Sequence, residues 1–84
     1  MMSQVTISVR PLRRGWWVDC GPGFAVQVFI AGGAAERTAV RLAAAFNQTG
    51  RGVRMVIHDR LGRVAGELIL GPYIDPQQRR FAIH

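Results

Sequence analysis

Lysine is absent from this 84-residue chain: all eleven basic residues are arginine, and against five acidic residues they give a formal net charge of +6. There is one cysteine, Cys20, which excludes an internal disulfide and a cysteine-based metal site. The two histidines and the scattered acids have no metal-ligand spacing, and no apolar run is long enough to span a bilayer. Residues 1–5 also lack the basic and apolar regions of a signal peptide. These absences predict a cytoplasmic protein with no cofactor, no metal and no membrane contact.

The missing lysine has two explanations, and the sequence leaves both open. Arginine codons are favoured in a GC-rich genome, and the seven alanines between residues 31 and 45 point the same way. Alternatively, the protein neutralises phosphates, for which the planar guanidinium is well suited. Genome composition accounts for the choice of arginine but not for the excess of positive charge. The arginines are spread along the chain rather than gathered in one run, which weakens the case for nucleic-acid binding.

Hydrophobic patterning predicts five strands and one helix in the order β-β-β-α-β-β. The strands are predicted over residues 4–10, 16–20, 24–30, 53–59 and 64–70, and the helix over residues 34–48. The third strand has Gln27 as its only polar residue, which predicts a central strand covered on both faces. We therefore predict an α+β fold with a single, mainly antiparallel sheet and one helix packed on one face. Residues 1–71 form the predicted domain, and residues 72–84 form a tail in which 80–84 are an extra edge strand or an arm onto a neighbouring subunit.

Proline and glycine mark the ends of these elements. Pro11 is predicted to end the first strand, and Gly50 to end the helix in a left-handed conformation. Glu36 is predicted in the first helical turn, where its charge suits the helix dipole. The helix face toward the sheet is mostly alanine, which predicts a close approach; its residues are Ala35, Ala39, Leu42, Ala43 and Phe46.

The last two predicted strands, within residues 53–70, form a hairpin with two alternative registers. With a two-residue loop of Leu61 and Gly62, Glu67 stays on the outer face of the sheet. With a type I turn that begins at Asp59 and places Gly62 in a left-handed bulge position, the pairing shifts by one residue and Glu67 turns to the inner face. Turn chemistry favours the second register, because Leu61 resists a positive φ, whereas burial of the apolar residues favours the first.

Three segments of the chain resemble a group of short bacterial domains of unknown function. They are Gly-Trp-Trp-Val at residues 15–18, the alanine-rich helix with Glu36, and Val-Ile-His-Asp-Arg-Leu-Gly-Arg-Val at residues 56–64. Such domains pair a Gly-Trp-x-Val strand and an Ala- and Glu-rich helix with a closing Val-Ile-His hairpin whose loop contains Gly followed by Arg. The resemblance covers residues 6–67 and implies no activity. The doubled Trp, the stretch 49–52 and the longer tail depart from the pattern.

His58 and Asp59 are the residues that suggest catalysis, because an imidazole beside a carboxylate can act as a general base. Neighbours on a strand point to opposite faces, and no nucleophile motif is recognisable, so we interpret His58 as a structural residue that fixes the hairpin. The glycines within 21–23 and 32–33 lack the spacing of phosphate-binding loops and are interpreted as a turn and a cap. The chain is therefore predicted not to be an enzyme and to bind no small-molecule substrate.

One helix covers only one face of such a sheet, so the other face must meet solvent, a ligand or another chain. The residues predicted on this outer face are Thr6, Ser8, Trp17, Asp19, Gln27, Phe29, Arg54, Val56 and His58. Trp and Arg are enriched in protein interfaces, and an interface would hide part of the apolar surplus, since 49% of residues are hydrophobic. We therefore predict a homodimer formed through this face or through the C-terminal strand.

The alternative function is nucleic-acid binding, because aromatic and arginine side chains on a sheet can stack bases and contact phosphates. The candidate residues for an interface or a nucleic-acid face are Trp17, Phe29, Arg54, His58, Arg60 and Arg63, with Arg13 and Arg14 as a basic turn. An enzyme that uses His58 is a third hypothesis, and it requires a deep pocket around the imidazole.

Overall fold

The computed structural model describes residues 4–72, which form one five-stranded sheet with a helix on one face. The elements are β1 (Val5–Leu12), β2 (Gly15–Asp19), β3 (Gln27–Phe29), α1 (Gly32–Gln48), β4 (Val53–His58) and β5 (Val64–Leu70). The strand order is β3-β2-β1-β4-β5, and all neighbours are antiparallel except β1 and β4, which are parallel. The predicted fold class and element order are confirmed. The predicted strand at 80–84 lies outside the described residues.

The core lies between α1 and the inner face of the sheet. Alternate residues of β1 point toward the helix, so that Ile7 and Val9 are fully buried. The helix presents three buried alanines to the sheet, as its sequence predicts, and their small side chains let the two layers approach closely. The buried residues of this cluster are Val5, Ile7, Val9, Val18, Cys20, Ala35, Ala39, Ala43, Val53 and Met55.

The prediction that the third strand is central and covered on both faces is wrong. β3 has three residues and, in the part of the chain that the structure describes, pairs only with β2 and forms an edge of the sheet. Phe24 does not join the ladder; its ring packs edge-on against Phe46 of α1 with centroids 5.2 Å apart. Val28 is consequently 66% exposed, and Ile30, just beyond the strand, is 92% exposed. A continuous apolar run here reflects an apolar sheet edge and not a buried strand.

The ends of two elements also differ from the prediction. β1 continues past Pro11, because Pro11 lies beyond Val9, the last β1 residue with a partner in β4, so that its missing N–H is not needed there. The helix begins at Gly32, which moves Glu36 out of the first turn. A Cβ at Gly32 would lie 2.9 Å from the Trp16 indole, so glycine lets this ring pack against the helix start. Gly50 has the predicted left-handed conformation, with φ 93°.

The hairpin of β4 and β5 combines parts of both predicted registers. Met55 pairs with Leu68, and Glu67 lies on the outer face, which is the pairing that burial favours. The turn has the chemistry of the other register: the Gly62 N–H donates to the Asp59 carbonyl at 2.9 Å, and Gly62 has φ 81°.

A one-residue irregularity reconciles the turn with the strands. Ile57 pairs with Gly66, whereas the next residue, His58, pairs with Val64. Ala65 is thus the extra residue of a β-bulge, which absorbs the shift that the turn imposes. The apolar residues of β5 therefore keep their face, and the glycine keeps its turn position.

Candidate functional site: the arginine end and the open face

The topology brings the two arginine-bearing turns to the same end of the sheet. β1 and β4 are parallel neighbours, so the turn that follows β1 and the turn that follows β4 lie side by side. We call this region the arginine end and define it by the five residues Arg10, Arg13, Arg14, Arg60 and Arg63. Residues far apart in the sequence, which seemed dispersed there, are therefore gathered in the fold.

Arg60 joins the two turns directly. Its Nη1 donates to the Leu12 carbonyl at 2.6 Å and to the Gly15 carbonyl at 2.9 Å, on either side of the Arg13-Arg14 turn. Its guanidinium also lies over the Trp16 ring, 5.0 Å from the centroid, which is a cation–π contact. Arg60 is thus a structural clamp, and its charge stays at this end of the molecule.

Asp59 organises the tip of the β4–β5 hairpin. One carboxylate oxygen accepts hydrogen bonds from the Leu61 N–H at 2.9 Å and the Arg63 N–H at 3.0 Å, and the other accepts from Arg63 Nε at 3.2 Å. The backbone N–H of Arg63 is the main cause that lowers the pKa of Asp59, with further contributions from Leu61 N–H and the Arg63 charge. The carboxylate offsets one of the five arginine charges, so the arginine end keeps a positive excess.

The outer face of the sheet, which we call the open face, carries most of the residues predicted for it. Trp17, Arg54 and His58 lie there, because they alternate with the residues that face α1. Phe29 does not, and its prediction is wrong: it pairs with Trp16 and packs against the core, while Val28 pairs with Trp17 on the open face. The phase of β3 is opposite to the one predicted: Gln27, also predicted on the outer face, pairs with Val18 and lies on the same side as Phe29.

Arg54 is paired within the open face. Its Nε donates to Glu67 Oε2 at 2.5 Å, and both side chains are partly exposed to solvent. The middle of the open face therefore has no net charge from this pair, which makes it a poor phosphate platform. The predicted face of stacked aromatics and free arginines is not assembled there.

His58 is held by β1 and is not placed beside a carboxylate. Its Nδ1 lies 3.0 Å from the Val9 carbonyl oxygen, and because a carbonyl only accepts, Nδ1 carries the proton. The Asp59 oxygens are engaged with the turn, so no imidazole–carboxylate pair forms from these neighbours. This hydrogen bond ties the end of β4 to β1 and not to β5, so His58 links two neighbouring strands and does not fix the hairpin as predicted.

An open depression of about 330 Å³ lies where the open face meets the arginine end. Its lining includes Arg10, Trp17 and His58, which the sequence did not group together because Arg10 was not a candidate. Trp17 Nε1 is buried and has no hydrogen-bond partner within residues 4–72. A larger concavity of about 760 Å³ follows β3 and the first half of α1, away from His58.

Within residues 4–72, β5 forms the second edge of the sheet, and this edge is strongly apolar. Val64 is 65%, Leu68 38% and Ile69 63% exposed, although all three belong to a strand of seven residues. Sequence reasoning placed this strand correctly but did not select it as a site. The available signal was the absence of the lysine or proline with which exposed edge strands are commonly protected.

The described residues offer little other site chemistry. Among residues 4–72 no three His, Cys, Asp or Glu residues are grouped as metal ligands would be. Cys20 is buried, and burial, together with the charge of Asp19, raises the pKa of its thiol. No helix in the same part of the chain is long and apolar enough to cross a membrane.

Comparisons with protein-family models, with curated proteins and with solved structures found no match. The resemblance to short bacterial domains of unknown function accordingly remains a prediction from the motifs.

Proposed function

We propose that this protein is a small non-enzymatic α+β module that forms a homodimer through the β5 edge and the adjoining open face. The observation that carries the proposal is the exposed apolar side chains of β5, at Val64, Leu68 and Ile69. A strand edge with unpaired backbone groups and apolar side chains is a template for pairing with another strand.

A second copy of the chain suits this edge because the charged residue of β5 already has a partner of opposite charge. Glu67 is the charged residue of β5, and Arg54 of the same chain pairs with it. Two copies would therefore bring no unpaired charge into the interface, which would otherwise be costly. Arg60 and Arg63 lie in the loop before β5, and the other residues of the arginine end lie on β1 or in the turn after it, so none belongs to β5 itself.

Pairing of β5 with β5 also gives a closed assembly. The other apolar edge, β3, has only three residues and offers a much shorter ladder. Contacts between β3 of one copy and β5 of the next would be heterologous and would lead to open chains, whereas β5 pairing with itself has two-fold symmetry. We therefore expect a dimer and not a filament.

The non-enzymatic part of the proposal is supported by the geometry at His58. Its ring donates to a backbone carbonyl, and the neighbouring carboxylate of Asp59 is bound to the hairpin turn. Neither group is placed to activate the other as a general base.

The test is the molar mass of the full-length chain by light scattering at about 100 μM, where a dimer of micromolar affinity is formed. We expect twice the chain mass. Ile69→Lys should give a monomer with an unchanged circular dichroism spectrum, because a buried interfacial charge opposes pairing. Val40→Lys, which changes an equally aliphatic exposed residue on α1, should remain dimeric.

A monomeric wild-type chain overturns the proposal. Hydrogen exchange then identifies what covers the edge: slow exchange of the β5 amides that do not bond to β4, in a monomer, assigns the edge to residues 73–84 of the same chain. Fast exchange in a monomer shows an edge that is simply solvated. A dimer that persists in Ile69→Lys places the interface elsewhere.

A further inference from the structure

We propose that the arginine end binds single-stranded nucleic acid, with its arginines on the phosphates and Trp17 against a base. The proposal goes beyond self-association: it uses the turns at one end of the sheet and Trp17 on β2, and β1 and β4 separate β2 from the β5 edge. It also differs from a nucleic-acid face in the middle of the sheet, where the arginine is neutralised by Glu67.

The first support is the local charge. Five arginines lie at this end, and Asp59 forms an ion pair with one of them, Arg63. β3 runs parallel to β1, so α1 begins at the same end and directs the partial positive charge of its N-terminus there. Together these charges form the electrostatic footprint expected for a phosphate backbone.

The second support is that the turn arginines are available while the scaffold that presents them is fixed. Arg13 and Arg14 are exposed, and neither has an acidic partner within residues 4–72. The Arg60 clamp on the Leu12 and Gly15 carbonyls holds their turn in place. A fixed turn loses less conformational freedom when its side chains bind a ligand.

The third support is the position of planar groups beside these charges. Arg10, Trp17 and His58 line the open depression next to the turns. Base stacking on aromatic side chains contributes about 1–3 kcal/mol per base and needs bases that are unpaired. The combination favours a single strand over a duplex, whose bases are already stacked, and over an anionic membrane, which has no bases.

The test is the binding of the full-length protein to a fluorescein-labelled single strand of about 12 mixed nucleotides, followed by anisotropy. We expect affinity to fall as salt rises, with a log–log slope near −3 for about four phosphate contacts. Arg13→Gln/Arg14→Gln should weaken binding about tenfold at low salt and make the slope about 1.4 shallower.

The matched control is Arg41→Gln/Arg51→Gln. It removes the same number of charges, but Arg41 lies well along α1 and Arg51 lies before β4, at the opposite end of the sheet. The control should change the affinity less than twofold. Equal weakening by the two double variants would mean that net charge alone drives binding, and it would overturn the site.

Stacking is tested separately at Trp17. Trp17→Leu should weaken the binding of the single strand at least fivefold, since at least about 1 kcal/mol of stacking is lost, whereas Trp17→Phe, which keeps an aromatic face, should retain most of it. Circular dichroism of both variants checks that the sheet is intact. Equal losses in the two variants would overturn the role of Trp17 as a stacking surface.

Three competing ligands distinguish single-stranded nucleic acid from other anionic ligands. We expect weaker binding to inorganic polyphosphate of matched charge, to duplex DNA and to vesicles of phosphatidylserine and phosphatidylcholine. Equal or tighter binding of any of them overturns the assignment to single strands, and no binding of the labelled strand at about 20 mM salt overturns the whole proposal. None of these outcomes changes the mass of the β5 dimer, so the two proposals fail independently.

Discussion

Trp16 and Trp17 are neighbours in the chain but lie on opposite faces of the sheet, and their surroundings summarise how the two faces differ. Trp16 packs against the start of α1 and under the Arg60 guanidinium, so its ring is fixed from two sides. Trp17 lies on the open face beside a solvent-open depression, with its Nε1 unpartnered within residues 4–72. The side chains of the covered face are fixed by packing, whereas the open face holds a hydrogen-bond donor without a partner within residues 4–72.

The charged groups are also distributed unequally between the covered face and the exposed parts of the sheet. No polar or charged residue is buried among residues 4–72, so the covered face is held by apolar packing alone. The ion pairs Arg54–Glu67 and Arg63–Asp59 lie on the exposed side or at the hairpin tip. Exposed pairs contribute little to stability, so these two pairs add little to what the apolar packing of the covered face provides.

The largest contrast between the faces is expected from two isoleucines. Ile7 is 0% exposed in the covered face, and Ile7→Ala should lower the free energy of unfolding by about 3–4 kcal/mol, through lost burial and a cavity. Ile30 is 92% exposed, and Ile30→Ala should change it by at most about 0.5 kcal/mol. Urea denaturation of both variants measures the difference. Similar losses would mean that the apolar edge near β3 is buried in the protein in solution.

The covered face was largely predictable from the sequence, because its periodicities have a single physical solution. The alanine stripe of α1 and the alternation of β1 each leave one face to bury, and both are confirmed. The hairpin was ambiguous because two local rules disagreed, and the structure satisfies both by inserting a bulge at Ala65. A bulge of this kind arises when the turn and the strands favour different registers, so no single residue pattern predicts it.

The open face and the arginine end were harder to predict because they depend on which strands are neighbours. The pairing of β1 with β4 joins segments more than forty residues apart and places the two basic turns together. Nothing in the local sequence sets this pairing, so the arginines seemed dispersed. The phase of β3 failed for a related reason: Phe24 has a partner in α1, which no strand periodicity reveals.

The second contrast compares two arginines. Arg60→Ala removes two hydrogen bonds and a cation–π contact with Trp16, and it should cost about 1–2 kcal/mol. Arg54→Ala removes an exposed ion pair and should cost about 0.5 kcal/mol or less. Arg60→Lys should recover part of the loss, since it keeps a cation near the ring. Thermal unfolding of the three variants tests this order, and an equal cost for Arg54 and Arg60 would contradict the clamp.

The smallest contrast is in the pH dependence of stability. The hydrogen bonds of the hairpin tip lower the pKa of Asp59. Its contribution to the free energy of unfolding is therefore present at a pH above the ordinary pKa of aspartate and is lost as the pH falls below about 4. The pKa of Cys20 is raised by burial, so its contribution is present at neutral pH and is lost as the pH rises above about 8.5. The exposed tip should therefore weaken in acid and the covered core in alkali.

Two conservative variants separate these limbs of the pH profile. Asp59→Asn keeps a side-chain oxygen for the Leu61 and Arg63 N–H groups but does not titrate, so it should flatten the acid limb alone. Cys20→Ala should flatten the alkaline limb alone, because alanine keeps the site apolar. Denaturant midpoints between pH 3 and pH 10 measure both effects. An acid limb unchanged by Asp59→Asn would assign the loss of stability to a carboxylate outside the hairpin tip.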